Sequence, residues 1–494
     1  MAALTSPIVS TRLGQILIAT LATAVAGPWL LQQMPMEGLV LVALITLPLI
    51  VIFGFLHPFS LCLLFVFFSF FRLHEAFPAL YDLRIPLLLA EITLGVLAWH
   101  VFLSRQIKPF WSRELQAFLA FFIIVTLGLP FAVSRETAFA YWTTTYWKIA
   151  AMVVAIAWLT RTPRDFELAA RALVFGSVLI SAVAISNKLA GIGLVEGTRV
   201  TIARDMGSVL GDPNDLSLIL LFPLGFALSL TVHRVGFVNR AFGLAASGIM
   251  IAAIVATQSR GGLLGVLAVC GMVGLRVVKS KVVVVSLGVV MAIALAAAMG
   301  ISSRSSGGAH EAGIDESSMG RIYAWNAAWK MAKSHPITGV GLDNFYGNYY
   351  FYTEHWDGLN HAVHSTWFNV LSETGFPGFI AFIYMIGVIS VSAYSSMKRL
   401  DEARAPPIVQ SMALALVAGI FGFCVAGTFL TQGFTWPIYI ILALTAAMSR
   451  YVAVHCPRPA PAEPDWGDAP MEKASVRSRP GCPGRVAEHL ETGC

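Results

Sequence analysis

Apolar segments of about twenty residues recur along most of this 494-residue chain. A helix of roughly that length crosses the hydrocarbon core of a bilayer. The chain is 57% hydrophobic and only 12% charged, whereas a soluble domain carries roughly a quarter charged residues. Because lipid offers no partners for open backbone groups, the spans must be helical. The sequence therefore predicts an all-α polytopic membrane protein with roughly 12–14 transmembrane helices.

The apolar runs also predict how the chain is divided. Residues 1–300 are expected to form transmembrane helices with short loops, 301–364 a long extramembrane loop, and 365–452 the C-terminal transmembrane helices. Residues 453–494 are rich in proline, glycine and charge, which predicts a disordered tail. The first apolar run has no clear cleavage site after it, so we expect a retained span.

The basic residues of the short loops predict an orientation. Five clusters fall at Arg105/Lys108/Arg113, Arg161/Arg164, His233/Arg234/Arg240, Arg276/Lys279/Lys281 and Lys398/Arg399/Arg404. The positive-inside rule assigns all five clusters and both termini to the cytoplasm. The outer face then receives residues 72–84, 134–147, 191–212, 258–261 and 301–364.

The long loop contains a predicted helix over 320–334. Arg321, Trp325 and Trp329 recur at intervals of four residues and so share one helix face. Tryptophan favours the membrane interface, so this helix is expected to lie on the membrane. His335-Pro336 ends it, and Gly339-Val340-Gly341 predicts a turn.

His364 stands where the long loop enters a membrane helix. An imidazole there is well placed for proton transfer, but a satisfied interfacial histidine fits the same position. His361 lies three residues earlier, and the pair alone is a weak metal signal because no third ligand is near in sequence. Glu373, in the following helix, either orients His364 or faces a cavity.

Two arginines are candidates for binding an anion. Arg260 lies in Ser259-Arg260-Gly261-Gly262 between two spans, where it is either a snorkelling side chain or a bidentate anion clamp beside glycines. Arg321 either packs on Trp325 through a cation–π contact or binds the same anion.

Further polar residues fall on the predicted outer face. Asp212 and Asn214 surround Pro213 and serve either as a helix N-cap or as substrate contacts. Cations on that face run against the usual charge bias and together favour an anionic substrate such as a lipid pyrophosphate; they are Arg72, Arg84, Arg135 and Lys148.

Three motifs resemble the O-antigen ligase and O-antigen polymerase superfamily. His364-Ser365, nine residues and Gly375-Phe376-Pro377-Gly378 fit its pattern H-[N/S/Q]-x9-G-x-x-G, and "SRGG" at 259–262 is similar to its Ser-Arg-Gly segment. Residues 320–345 are similar to its arginine helix and hPxxGxGxxxF stretch, with Trp325 where some members have leucine and Arg304 as the alternative helix arginine. The resemblance covers roughly 200–395.

The resemblance implies a GT-C-like, metal-independent, inverting glycosyltransferase of the inner membrane with a periplasmic active site and no cofactor. Arg260 and Arg321 would bind the pyrophosphate of an undecaprenyl-linked glycan donor, and His364 would be the general base. The acceptor would be lipid A–core in a ligase, a second lipid-linked glycan in a polymerase, or a protein. A lipid-linked glycan transporter remains the alternative from another class, and the net charge of +6 requires no nucleic-acid partner.

Overall fold

The computed structural model describes residues 48, 50–76, 85–301, 316–356 and 358–457. Arg84, Arg304, the first predicted span and the predicted disordered tail beyond residue 457 lie outside these residues. The side chains of 295–301 and 316–318 are likewise not described.

Helices make up 79% of the described chain. They are α1 Pro58–Phe70, α2 Leu73–Ala76, α3 Ile85–Ala98, α4 Arg113–Gly128, α5 Arg135–Tyr141, α6 Trp147–Leu159, α7 Pro163–Ala190, α8 Pro213–Val232, α9 Phe237–Thr257, α10 Arg260–Val277, α11 Lys281–Ile301, α12 Glu316–Ser334, α13 Phe345–Tyr352, α14 Thr366–Glu402, α15 Pro407–Ala426 and α16 Trp436–His455. One hairpin, β1 Leu194–Val195 and β2 Arg199–Val200, pairs antiparallel. Within the described ranges, nine helical segments are long and apolar enough to cross a membrane, and Pro58–Phe70 and Lys281–Ala294 are shorter apolar helices. The fold class is therefore that of an all-α polytopic membrane protein.

Two helices form the centre of the bundle. In the apolar windows of α8 and α16, 78% of residues are buried against other parts of the protein. α10 and α15 both pack on α8. Glycines permit the close approach, since a Cβ on Gly265 would lie 2.3 Å from the Leu221 side chain. α8 is thus held in a fixed position, and its first residues belong to the site described below.

Residues 134–147 differ from the predicted loop. Ser134 caps α5 by accepting a hydrogen bond from the Thr137 amide, and a π-helical turn over Trp142–Tyr146 joins α5 to α6. The helix therefore begins at Arg135, because a serine N-cap ahead of it satisfies the first free amide. The expectation of a loop here was wrong for all but its first residue.

Several of the predicted basic clusters meet at one end of the bundle. Arg161 donates to the carbonyl of Lys108 at 3.0 Å, and Arg276 pairs with Asp401 next to the last cluster. α10 runs from Arg260 to this basic end, and α14 runs there from Thr366. The polar residues at the opposite end form the candidate site.

Candidate active site

His364 lies in a strained turn just before α14. Its φ is +47°, a left-handed conformation that is uncommon for a residue with a side chain. Thr366, two residues further on, is fixed by the turn after α15: its amide donates to the Gly427 carbonyl at 2.7 Å, and its hydroxyl donates to the Leu430 carbonyl at 2.7 Å. Strain of this kind persists only where the surrounding structure holds it, and it is often found at functional sites.

Four charged or titratable side chains act on His364. Burial is the main cause that lowers the pKa of the imidazole, and the nearby Arg321, His361 and Arg199 lower it further. Asp212 opposes them by raising it. The net lowering leaves the imidazole neutral and able to accept a proton at neutral pH. The structure thus brings together three predicted residues, Asp212, Arg321 and His361, around the predicted histidine.

The arginine helix is attached directly to the turn that holds His364. The indole N–H of Trp325 donates to the Val363 carbonyl at 3.0 Å. Its ring stacks on Phe368 of α14 with centroids 5.5 Å apart and planes at 16°. The expectation that the tryptophan face lies on the membrane was wrong for Trp325, because this ring packs on protein.

The Ser259–Gly262 segment forms the N-terminus of α10. Ser259 is fully buried, accepts from the Gly262 amide at 3.2 Å and donates to the Asn214 side chain at 2.9 Å. A Cβ on Gly262 would lie 2.4 Å from the Ser217 hydroxyl, so glycine is required for this contact. Arg260 is half-buried as the first residue of α10, beside this contact.

Arg199 joins these parts and was missed in the sequence. Its Nη2 donates to Asn214 at 2.9 Å and its Nε to the Thr257 carbonyl at 3.2 Å, so it links the start of α8 to the turn before Arg260. The side chain is buried, and its charge acts on His364. A lone arginine in a short strand carries no periodicity or motif, although its place in the predicted outer segment 191–212 was a weak signal.

Asp212 and Asn214 have structural partners in addition to their place near the histidine. Asp212 caps α8 by accepting from the Asn214 amide at 2.7 Å and the Asp215 amide at 3.2 Å. The Asn214 side chain accepts from both Arg199 and Ser259. Asp212 can therefore serve both as the N-cap of α8 and as a charged neighbour of the site.

The histidine motif and the glycine-rich stretch after α12 interlock through their backbones. The Phe376 amide donates to the Pro336 carbonyl at 2.9 Å, and the Val340 amide donates to the Ser372 carbonyl at 2.8 Å. Gly339 and Gly375 have φ of +63° and +66°, and a Cβ on either would lie within 2.6 Å of the opposing backbone. Only glycine fits both the conformation and the space.

A second group of polar residues lies where the glycine-rich stretch after α12 meets α14. Glu373 is buried and accepts from the Asp343 amide at 2.9 Å and the Phe345 amide at 3.3 Å, which fixes the start of α13. Burial, with help from the charges of Asp343 and Glu373, raises the pKa of Tyr141, whereas Arg72 lowers it. Arg72 in turn pairs with Glu75, with 2.6 Å between Nε and Oε2. Glu373 and Arg72 thus lie in this second group.

The remaining predicted cations are less closely tied to the histidine. Arg135 is exposed at the start of α5, and Lys148 is half-buried near the start of α6. Neither is among the charges that act on His364. Their role as substrate contacts stays a prediction.

Helices of membrane-crossing length, with a buried polar site at one end of the bundle, define an all-α multi-pass membrane protein. Residues 245–383 match a family model described as O-antigen ligase. This segment contains Arg260, Arg321 and His364, so the part of the chain that carries the predicted site is similar to that family. No curated protein matches the chain.

Proposed function

We propose that this protein is an inner-membrane glycosyltransferase of the O-antigen ligase type, which transfers a glycan from undecaprenyl pyrophosphate to an acceptor hydroxyl at the periplasmic face. The family match supports a glycosyltransferase-like enzyme acting on lipid-linked glycans. The observation that carries the proposal is the position of His364, which is held in a strained turn close enough to Arg321, Arg199 and Asp212 for their charges to act on it.

In the proposed reaction His364 is the general base. The acceptor oxygen attacks the anomeric carbon while the bond from that carbon to the pyrophosphate oxygen breaks. The proton of the acceptor hydroxyl passes to the imidazole, and the electron pair of the broken bond leaves with the pyrophosphate. A positioned general base contributes typically about 10²–10⁴-fold to such a step. Attack from the side opposite the leaving group inverts the anomeric centre.

Arg260 and Arg321 are proposed to bind the pyrophosphate. Each guanidinium can grip two phosphate oxygens and stabilise the charge that grows on the leaving group. Arg321 is near His364, and Arg260 follows the Ser259–Asn214–Arg199 network. A site of this composition supplies charge stabilisation from the protein itself, so we propose that the transfer needs no metal ion or cofactor.

The charge distribution supports the proposed orientation. The basic clusters gather at the end of the bundle away from His364, and the positive-inside rule assigns such an end to the cytoplasm. The polar site then faces the periplasm, where a lipid-linked donor and its acceptor meet.

A glycolipid profile of a deletion strain tests this proposal. A ligase defect leaves long lipid-linked polymer unattached, and the wild-type gene restores attachment, whereas His364→Ala restores protein level but not attachment. Accumulation of single lipid-linked repeats instead would indicate the polymerase, in which a second lipid-linked glycan is the acceptor. A normal profile of the deletion strain would refute the proposed function, and full rescue by His364→Ala would refute the assignment of His364 as the base.

A further inference from the structure

A cavity of about 570 Å³ lies beside the second polar group and is not part of the His364 cluster. Its walls come from the turn and helix at 133–137 and from residues 343–351. Hydroxyl, amide and carboxylate groups line it together with two aromatic rings; they include Ser134, Thr137, Asp343, Asn348, Tyr346 and Phe351.

The two walls are tied together by specific hydrogen bonds. The Asn344 side chain accepts from the Ser134 amide at 2.8 Å and donates to the Ser134 carbonyl at 3.1 Å. The Val133 amide donates to the Val340 carbonyl at 2.9 Å. Segments about two hundred residues apart in sequence therefore form one fixed concave surface.

Asp343 gives this surface an unused hydrogen-bonding group. Its backbone is held at φ +58° with its amide bonded to Glu373. Its carboxylate has no hydrogen-bond or ion-pair partner among the described residues; the residue is exposed at the cavity wall, and partial desolvation by its neighbours raises its pKa. A carboxylate without a protein partner can accept hydrogen bonds from a ligand that carries hydroxyl donors.

The aromatic side chains add flat apolar contact area. Tyr346 and Phe351 are 58% and 73% exposed, although both line the cavity. The faces of aromatic rings carry partial negative charge and attract polarised C–H groups. A pyranose offers such C–H groups on one face and hydroxyl donors at its rim, so it matches both the rings and the carboxylate. Insertion into lipid would instead leave Asp343 in contact with hydrocarbon, which is unfavourable.

We propose that this cavity, lined by Asp343, Tyr346 and Phe351, is a saccharide-binding subsite that holds a sugar of the glycan some distance from the bond being formed. The proposal rests on the proposed function, because a glycan is the substrate of that reaction. Glu373, which fixes Asp343, lies seven residues after Thr366 on α14, or about 10 Å along the helix axis. The subsite would therefore contact a sugar ring removed from the one at His364.

Binding of a free glycan tests the subsite separately from catalysis. The probe is the reducing oligosaccharide released by mild acid from the host strain's own lipid-linked glycans. Saturation-transfer NMR with the purified full-length protein in detergent should show contact to the sugar ring protons. Tyr346→Ala and Phe351→Ala should each weaken binding about tenfold, and Asp343→Ala should do so as well. Tyr350→Ala is the matched control, because Tyr350 is equally exposed on the same helix but does not line the cavity; it should bind like the wild type.

The outcomes separate the subsite from the proposed function. His364→Ala should lose transfer but keep oligosaccharide binding, and binding that persists even if no transfer is ever detected would support the subsite while the proposed function fails. Absence of binding to the wild type, or unchanged binding to Tyr346→Ala and Phe351→Ala, would overturn the subsite. If Tyr346→Ala and Phe351→Ala bind the oligosaccharide normally but lose transfer only in lipid bilayers, the subsite is also overturned, and the two rings are identified as a membrane anchor.

Discussion

The indole N–H of Trp325 donates a hydrogen bond to the carbonyl of Val363, the residue directly before His364. One bond therefore joins the helix that carries Arg321 to the turn that carries the imidazole. Through it, the protein itself fixes how the helix of Arg321 lies relative to His364, the proposed base.

Trp325→Phe keeps an aromatic ring on Phe368 but removes the donor. We expect a loss of about 1 kcal/mol in the free energy of unfolding and a larger proportional loss of glycan transfer, because the turn at His364 gains freedom. Trp329→Phe is the control on the same helix, and its ring is 43% exposed. Transfer and melting temperature in detergent are the measurements. Equal losses of transfer in both variants would show that the bond to Val363 does not position the base.

Two charge removals should move the pH dependence in opposite directions. Transfer should rise with pH as His364 loses its proton, through a pKa below the ordinary histidine value. Arg199→Gln removes a charge that lowers this pKa, so the rise should shift to higher pH; Asp212→Asn removes one that raises it, so the rise should shift to lower pH. Initial rates of transfer across pH measure the midpoints. Shifts in the same direction would mean that another group titrates.

Replacing either proposed pyrophosphate-binding arginine with lysine should reduce glycan transfer. Arg260→Lys and Arg321→Lys keep the charge but lose the two-pronged geometry, and we expect transfer to fall about a hundredfold. Arg234→Lys, at an exposed position in one of the basic clusters, should transfer normally. The measurement is the initial rate of transfer at matched protein levels. Full activity of Arg260→Lys would favour the interpretation of Arg260 as a snorkelling side chain.

The interlocked glycines should be sensitive to a single added carbon. Gly339→Ala and Gly375→Ala force positive φ on alanine and place a Cβ 2.4 Å or 2.6 Å from opposing backbone oxygens. We expect backbone strain of about 1–3 kcal/mol and a lower melting temperature. Gly387→Ala, later in α14 and with open space around it, should be neutral or stabilising. A normal melting temperature for Gly375→Ala would show that the positive-φ backbone at residue 375 relaxes without cost.

Chelation tests the alternative metal reading of His361 and His364. Transfer by purified protein should be unaffected by EDTA, because the proposed site neutralises the leaving group with arginines. Strong inhibition that added divalent metal reverses would revive the metal pair. His361→Ala should be measured alongside, because it removes one histidine of the alternative metal pair. The ring of His361 packs edge-on against Tyr349 at 5.4 Å.

Features encoded locally could be predicted, whereas long-range contacts could not. Helix periodicity, Pro336 and the paired glycines predicted α12 and the turn after it. Arg321 was a candidate from that helix and Asp212 from its place on the predicted outer face, and the charges of both act on His364. Arg199 was missed because its partners, Asn214 and Thr257, lie in other elements and leave no local pattern. The start of α5 was missed because Ser134, a single N-cap, outweighed the polar composition of 134–147.

The bonds from Thr366 to Gly427 and Leu430 have a consequence for biogenesis. The turn of His364 depends on a segment made more than sixty residues later, and Gln432 from that segment also bonds Asp215 at 2.8 Å. While the nascent chain is still entering the membrane, its base and its cations are already synthesised but not yet arranged. We therefore expect the site to be assembled only after the final helical hairpin has inserted, so a chain truncated before α15 should accumulate as an inactive protein even though every proposed catalytic residue is present.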